Sequence, residues 1–209
     1  MGSNGERRAD GERTHAVILE AATKLASIEG VHGLTIGRLA EITGISKSGL
    51  YAHFGSKEQL QLEVIKAAGA VVDREVVLPA LSEPEGLRRL EAMLENFFSY
   101  VERWVFPGGC FFSSLLAEAD ARPGPIRDAV ERWQREASVG WAGLVREAQV
   151  IGELDAKADA DQIGFELEAA MGQANYMFVL FRDPQALERG RAAVRRILVA
   201  AGAKPKKRR

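Results

Sequence analysis

The feature that most constrains the fold is a pair of very short amphipathic segments, residues 36–43 and 47–53, on either side of Gly44. Apolar residues recur at helical spacing in the first segment, and glycine adopts a left-handed turn without steric cost. Thr35 and Ser46 precede the two segments and are suitable N-cap residues. Helices this short are unstable alone in water, so the pair must pack against other helices. The pattern predicts a helix-turn-helix.

The second short segment has one apolar side and one polar side. Leu50 and Phe54, four residues apart, are expected to fix it from beneath. Cationic, aromatic and hydrogen-bonding side chains remain on its outer side, namely Lys47, Ser48, Tyr51 and His53. A helix with such a face is narrow enough to enter the major groove of DNA. Tyr51 is the strongest candidate because its hydroxyl needs a partner, whereas a backbone carbonyl could satisfy His53 instead.

The rest of the sequence is divided by Gly and Pro into helical segments and lacks the alternation typical of strands. The predicted helices are residues 13–29, 56–78, 84–104, 110–120, 124–149, 159–181 and 185–201. Ser56 and Gln59 have the spacing of a capping box at the start of the second of these helices. The predicted fold class is therefore all-α.

Composition and charge restrict the possible functions. The net charge of −1 does not mark the whole chain as a nucleic-acid binder, so any DNA-binding surface must be local. No apolar run approaches the ~20 residues that span a bilayer. Cys110, the single cysteine, permits no intrachain disulfide and is expected to be a small buried side chain rather than a redox sensor. We find no hydrolase, metalloprotease or nucleotide-binding motif, and expect a cytoplasmic protein that is not an enzyme and has no cofactor.

The stretch from Thr35 to Phe54, followed by Gly55-Ser56-Lys57-Glu58-Gln59-Leu60, resembles the signature of the TetR family of transcriptional regulators. The similarity extends over roughly residues 13–62. It implies a three-helix DNA-binding head, a linker helix and a variable helical domain, with about nine helices in all. The expected division is a disordered lead-in at 1–12, the head at 13–58, an effector-binding and dimerisation domain at 59–203, and a basic disordered tail at 204–209.

The resemblance also implies which residues contact operator DNA. From the first short helix, Thr35 and Arg38 would reach phosphates or a base edge. The contacts from the turn and the recognition helix would be Ser46, Lys47, Ser48, Tyr51 and His53. Lys57 would hold a phosphate at the positive end of the linker helix. Most of these contacts would position the protein rather than select bases.

The larger domain is rich in aromatic residues, for which packing in a core or dimer interface is the default explanation. Relatives carry an effector cavity in this domain. The residues expected to line it here are Trp104, Phe111, Trp133, Trp141 and Asn175. Such walls suit an apolar or aromatic small molecule.

The last two predicted helices are expected to form a four-helix bundle with a second copy of the chain. Small residues there, such as Gly172 and Ala174, would allow close helix approach either to the partner or within the chain. The homodimer would bind a pseudo-palindromic operator and repress transcription until a ligand releases it.

Two other interpretations stay open at this point. A helical enzyme acting on a hydrophobic substrate would show turnover, although all three histidines (His15, His32 and His53) lie in the predicted head. A helix-turn-helix used only for protein contacts would show no salt-dependent DNA binding.

Overall fold

The computed structural model describes residues 3–119 and 123–204, and every regular element in that part of the chain is helical. The elements are α1 (Ser3–Glu29), α2 (Ile36–Thr43), α3 (Lys47–Phe54), α4 (Lys57–Val72), a π-helical stretch (Asp73–Val77), α5 (Leu78–Leu81), α6 (Leu87–Glu102), α7 (Phe111–Ala119), α8 (Pro125–Val150), α9 (Ala160–Phe181) and α10 (Gln185–Ala200). Because α4 and α5 are joined by the π-helical stretch, the ten α-helices make nine continuous helices in the described residues. The predicted all-α fold is confirmed. Within these ranges no helix is both long and apolar enough to cross a membrane.

The N-terminal end of α1 differs from the prediction. The helix begins at Ser3, ten residues ahead of the predicted start at Arg13, so it includes most of the lead-in that the sequence predicts to be disordered. The added residues 3–12 include two Glu, two Arg and one Ala, which favour a helix, beside two glycines, which do not. Of the predicted basic tail, residues 205–209 lie outside the described part of the chain.

The helix that starts with α4 also runs further than predicted. The sequence predicts an end at Leu78, ahead of Pro79, yet α5 continues through the proline. The backbone first widens into a π-turn, in which the Leu78 N–H donates to the carbonyl of Asp73. Asn96 of α6 donates from Nδ2 to the Val76 carbonyl at 3.0 Å. The wider turn accommodates the proline ring within the helix, and the Asn96 bond gives the nearby Val76 carbonyl a side-chain partner.

The helix-turn-helix belongs to a compact unit made of the described residues up to Ala70 and those of the Phe106–Val130 segment. The loop before α7 is bonded to α1, since the Gly108 N–H donates to Ser27 Oγ at 3.3 Å. A Cβ at Gly108 would overlap the Ser27 carbonyl, so only glycine allows this close approach. The compact unit is therefore larger than the predicted head at 13–58, because α7 packs with it.

The second compact unit contains α6, α9 and α10, together with the C-terminal part of α8. Helices α9 and α10 pack along each other, and both contact α6. Two glycines make the closest approaches: Gly190 of α10 lies against Ala174 and Phe98, and Gly164 of α9 lies against the α8 backbone at Ala142. Gly164, Ala174 and Gly190 therefore serve packing within the chain.

Candidate nucleic-acid interface

Side-chain hydrogen bonds define both short helices of the helix-turn-helix. At the start of α2, Thr35 Oγ1 accepts a hydrogen bond from the Arg38 N–H at 3.1 Å. Gly44 ends α2 with a left-handed backbone (φ 70°). Ser46 Oγ then accepts from the Gly49 N–H at 3.1 Å at the start of α3. Each bond satisfies a backbone donor that a helix start leaves unpaired, so the predicted caps and turn are confirmed.

Helix α3 has the two faces that the sequence predicts. Leu50 is fully buried and Phe54 is only 3% exposed, so both anchor the helix in the core of its unit. Lys47, Ser48 and Tyr51 are exposed, and Tyr51 keeps 51% of its accessible surface. A cation, a hydroxyl and a phenol thus share the outer side of a helix whose other side is fixed by packing.

Lys47 also reaches back over α2. Its Cε and Nζ lie 3.7 and 3.8 Å from the position that a Cβ on Gly37 would occupy, and Thr35 Oγ1 lies 3.9 Å from the same position. The missing side chain at Gly37 therefore leaves room for the lysine beside the threonine. An ammonium group and a hydroxyl placed side by side can bind one anion, such as a phosphate oxygen.

Replacing Gly37 with alanine is expected to stabilise α2. The new Cβ would make only ordinary van der Waals contacts, and alanine loses less backbone entropy than glycine, so the gain should be about 0.5 kcal/mol. Gly49→Ala in α3 is the matched control, because its Cβ would lie 3.2 Å from both Ile45 Cγ2 and Ser46 Oγ. Amide hydrogen exchange of the two helices measures both changes. Greater protection in Gly49→Ala than in Gly37→Ala would show that the argument is wrong.

Arg38 is already engaged within the protein. Its Nη2 lies 3.0 Å from Glu29 Oε1 and its Nη1 lies 3.1 Å from Glu41 Oε2. These hydrogen bonds, the one with Glu29 first, raise the pKa of Arg38 above its ordinary value. All three side chains are partly exposed, so these ion pairs are weak and the guanidinium can exchange a carboxylate for a phosphate.

Lys57 stands at the first turn of α4, where it was predicted. Its Nζ donates to the His32 carbonyl at 2.9 Å, which holds the side chain over the turn between α1 and α2. Ser56 Oγ caps the helix by accepting from the Gln59 N–H at 3.0 Å. The Gln59 side chain bonds Glu63 at 3.1 Å instead of returning to Ser56, so only half of the predicted capping box forms.

His15, a residue of α1 without a predicted role, lies beside α3. Its Nε2 lies 2.8 Å from Glu63 Oε2 of α4. Its ring centroid lies 4.8 Å from that of Phe54 and 5.8 Å from that of His53, the half-buried histidine near the end of α3. The spacing of three residues between His15 and the buried Ile18 was a signal that His15 faces the same core.

The predicted ligand-binding residues fall in both compact units. Phe111 belongs to the first unit and packs against Phe106 and Phe112, with ring centroids 5.5 and 5.4 Å away. The neighbouring Cys110 is buried, as predicted. The other four residues, Trp104, Trp133, Trp141 and Asn175, belong to the second unit.

Two of these residues, Trp104 and Asn175, are associated with α9 in the second unit. The Trp104 ring lies 4.7 Å from that of Phe178, and the Arg182 guanidinium lies 4.2 Å from the Trp104 ring centroid. Asn175 is buried one turn before Phe178 on the same helix. Trp133 and Trp141 are half-buried on α8.

Comparison with known proteins covers both parts of the chain. Residues 18–64 match the family described as bacterial regulatory proteins, tetR family, and residues 86–194 match the tetracyclin repressor-like C-terminal domain. The chain is 29% identical over 134 residues to the HTH-type transcriptional regulator LmrA of Bacillus subtilis, covering 62% of this chain and 68% of LmrA.

Solved structures share the whole fold. A TetR transcriptional regulator from Chloroflexus aurantiacus superposes with a TM-score of 0.82 at 26% identity, over 91% of this chain and 95% of that one. AibR, solved in complex with isovaleryl coenzyme A and operator DNA, superposes with a TM-score of 0.68 at 18% identity, over 88% of this chain and 97% of AibR.

The family matches include the capped helix-turn-helix and most of the larger helical domain. The family consists of transcriptional regulators that bind DNA. The chain therefore belongs to the TetR family of bacterial DNA-binding transcriptional regulators and is not an enzyme.

Proposed function

We propose that the chain is a homodimeric repressor whose α3 enters the major groove of a pseudo-palindromic operator, and that a small apolar or aromatic ligand releases it. The observation that carries this proposal is the two-sided burial of α3: Leu50 and Phe54 are anchored in the core, while Lys47, Ser48 and Tyr51 stay exposed. A short helix held in this way presents its polar side chains as a rigid surface.

The individual contacts are proposed from the geometry of the free protein. Lys47 Nζ and Thr35 Oγ1 lie near the same open position beside Gly37 and would bind one phosphate, while Tyr51 and Ser48 would reach further along the groove. Ser46 Oγ already caps α3 and lies 3.1 Å from Ser48 Oγ, so it would support Ser48 as well as meet the backbone.

Three further residues would hold the DNA backbone around α3. Lys57 would contact a phosphate at the start of α4, where the helix dipole also attracts anions. Arg38 would exchange Glu29 and Glu41 for phosphate, and this exchange would add to the salt dependence of binding. His53 would complete the contacts from the last turn of α3.

An apolar stripe on α9 supports a homodimer. Phe165 and Leu180 are 66% and 70% exposed, and Tyr176 is 43% exposed. With Ala169 and Gly172 these residues follow the i, i+4, i+7, i+11, i+15 spacing of one helix face. A second copy would cover this stripe and set two recognition helices ~34 Å apart, one helical turn of DNA. Sedimentation as a monomer at micromolar concentration would contradict this part of the proposal.

The ligand proposal rests on the larger domain and on relatives. The match to tetracyclin repressor-like C-terminal domains favours a ligand-responsive regulator. So does the similarity to AibR, which was solved in complex with both isovaleryl coenzyme A and operator DNA. Within the second compact unit, Trp104, Trp133 and Trp141 would supply apolar walls, with Asn175 as a polar anchor. Such a ligand acts only through different affinities for the DNA-bound and released conformations. A screen of aromatic compounds for release of bound DNA tests it.

The test of DNA recognition begins with selection of duplexes from a randomised DNA pool by the full chain, and the enriched duplex then serves as the probe. Lys47→Ala and Tyr51→Ala are each expected to weaken binding about tenfold or more, because a dimer loses the contact in both half-sites. Lys47→Ala should also reduce the salt dependence of binding. Fluorescence anisotropy at several salt concentrations measures both effects.

Lys24→Ala is the matched control for this test. Lys24 is an exposed lysine of α1 that pairs with Glu20 at 2.7 Å, and its loss should change probe binding by less than about twofold. Failure to enrich any duplex, or binding that survives Lys47→Ala combined with Tyr51→Ala, would contradict the proposed function.

A further inference from the structure

His15 occupies a space between three helices of the first compact unit. It comes from α1, bonds Glu63 of α4 at 2.8 Å, and lies with its ring beside Phe54 and His53 of α3. The contacts assigned above to operator recognition do not include it. Its neighbours are therefore the starting point for a second role.

The orientation of the His15 ring is fixed from two sides. Glu63 has both carboxylate oxygens occupied, Oε2 by His15 Nε2 and Oε1 by Gln59 Nε2 at 3.1 Å. The side chains of His15 and Glu63 are only 31% and 25% exposed, so water competes less for their bond than at an open surface. Phe54 is 3% exposed and forms an immobile wall at 4.8 Å from the His15 centroid.

A fixed ring at this place restrains the end of the recognition helix. His53 lies in the last turn of α3, immediately before Phe54, with its centroid 5.8 Å from His15 and tilted by 56°. After Gly55, with φ 70°, the chain turns into α4, which carries Glu63. The Glu63–His15 pair thus connects α4, which follows the turn at Gly55, to the side chain of His53, which precedes that turn.

We propose that His15 is a positioning residue for DNA recognition, which acts by holding the His53 ring in the orientation that meets the operator. The inference rests on the proposed function, since it requires His53 to contact DNA. Each group has a distinct part in this role. Glu63 orients the His15 ring and Phe54 supports it, while the edge or face of the His15 ring limits where the His53 ring can turn.

A double-mutant cycle on the selected duplex tests this role. His15→Ala is expected to weaken binding about fivefold in the otherwise unchanged protein, but less than about twofold when His53 is already alanine. His15→Gln keeps a donor for Glu63 and removes only the ring, so the same fivefold loss is expected even if the alanine variant does not fold. His15→Phe keeps an aromatic ring beside Phe54 and His53 but loses the bond to Glu63 that orients it, so binding should recover only in part, to a level between that of His15→Gln and that of the original.

Nuclear magnetic resonance of the free protein gives an independent readout. The χ1 angle of His53, read from its three-bond couplings, should become averaged over rotamers in His15→Gln and stay unchanged in Lys24→Ala, which breaks an ion pair on the same helix. Equal losses from His15→Ala with and without His53, or an unchanged His53 χ1 in His15→Gln, would overturn the positioning role. If no duplex binds, the proposed function fails, while the His53 couplings still decide whether His15 sets the ring.

Discussion

Gly190→Ala is expected to lower the free energy of unfolding by about 2–3 kcal/mol, although alanine is the better helix former. The added Cβ would lie 2.6 Å from the Ala174 Cβ and 2.7 Å from Phe98 Cε1. Ala174 is part of α9, and Phe98 is a residue of α6 that is only 1% exposed, so neither can move aside alone. The gain of about 1 kcal/mol from helix propensity is smaller than the cost of separating the helices.

Gly140→Ala is the matched control, since Gly140 is an exposed glycine within α8 with no atom near the position of its Cβ. This variant should be more stable by about 0.5–1 kcal/mol. Denaturant unfolding at one fixed protein concentration measures both variants, because dimer stability depends on concentration. Equal stability of Gly190→Ala and the original chain would show that α9 and α10 can separate without cost.

Local chemistry explains why the helix-turn-helix could be predicted residue by residue. Thr35, Gly44 and Ser46 act on atoms within four residues of themselves, as caps or as a left-handed turn. The burial of Leu50 and Phe54 follows from their spacing on one helix face. These features need no knowledge of the rest of the chain.

Contacts between residues that lie far apart in the sequence could not be predicted from the sequence. Arg38 binds Glu29 of α1, and His15 binds Glu63 of α4, yet neither pair is marked by spacing in the sequence. Of the small residues expected to aid close helix approach, Ala174 is used within the chain, against Gly190. By contrast, a Cβ on Gly172 would meet open space. Only the packing of α9 on α10 distinguishes the two.

The second large effect on the free energy of unfolding is expected from loss of the ion pairs of Arg191, the residue after Gly190. Its side chain is 10% exposed and lies 2.8 Å from Glu95, 2.9 Å from Glu102 and 2.9 Å from Glu188. The hydrogen bonds with Glu95, and then with Glu102, raise the pKa of Arg191 above its ordinary value. Arg191 therefore stays charged at every pH at which the protein is studied, and connects α10 to α6.

Arg191→Met is expected to lower the free energy of unfolding by about 2–3 kcal/mol, because methionine fills similar space but leaves three carboxylates without their shared cation. The figure is below the 3–5 kcal/mol typical of a fully buried pair, since these carboxylates are 50–59% exposed and water reaches them. Arg195→Met, at an exposed arginine of the same helix, should change stability by less than about 0.5 kcal/mol. Denaturant unfolding of both variants gives the comparison.

Removing the carboxylates separates charge from packing in Arg191→Met. Because the pKa of Arg191 is raised, its contribution is complete at neutral pH and is lost only as pH rises through the folded value. The deficit of the variant should therefore be constant from neutral pH to about pH 9. Adding Glu95→Gln and Glu188→Gln to Arg191→Met should recover part of the stability at neutral pH by removing repulsion. A deficit that is unaffected by these two changes would mean that Arg191 stabilises α6 against α10 by its volume and not by its charge.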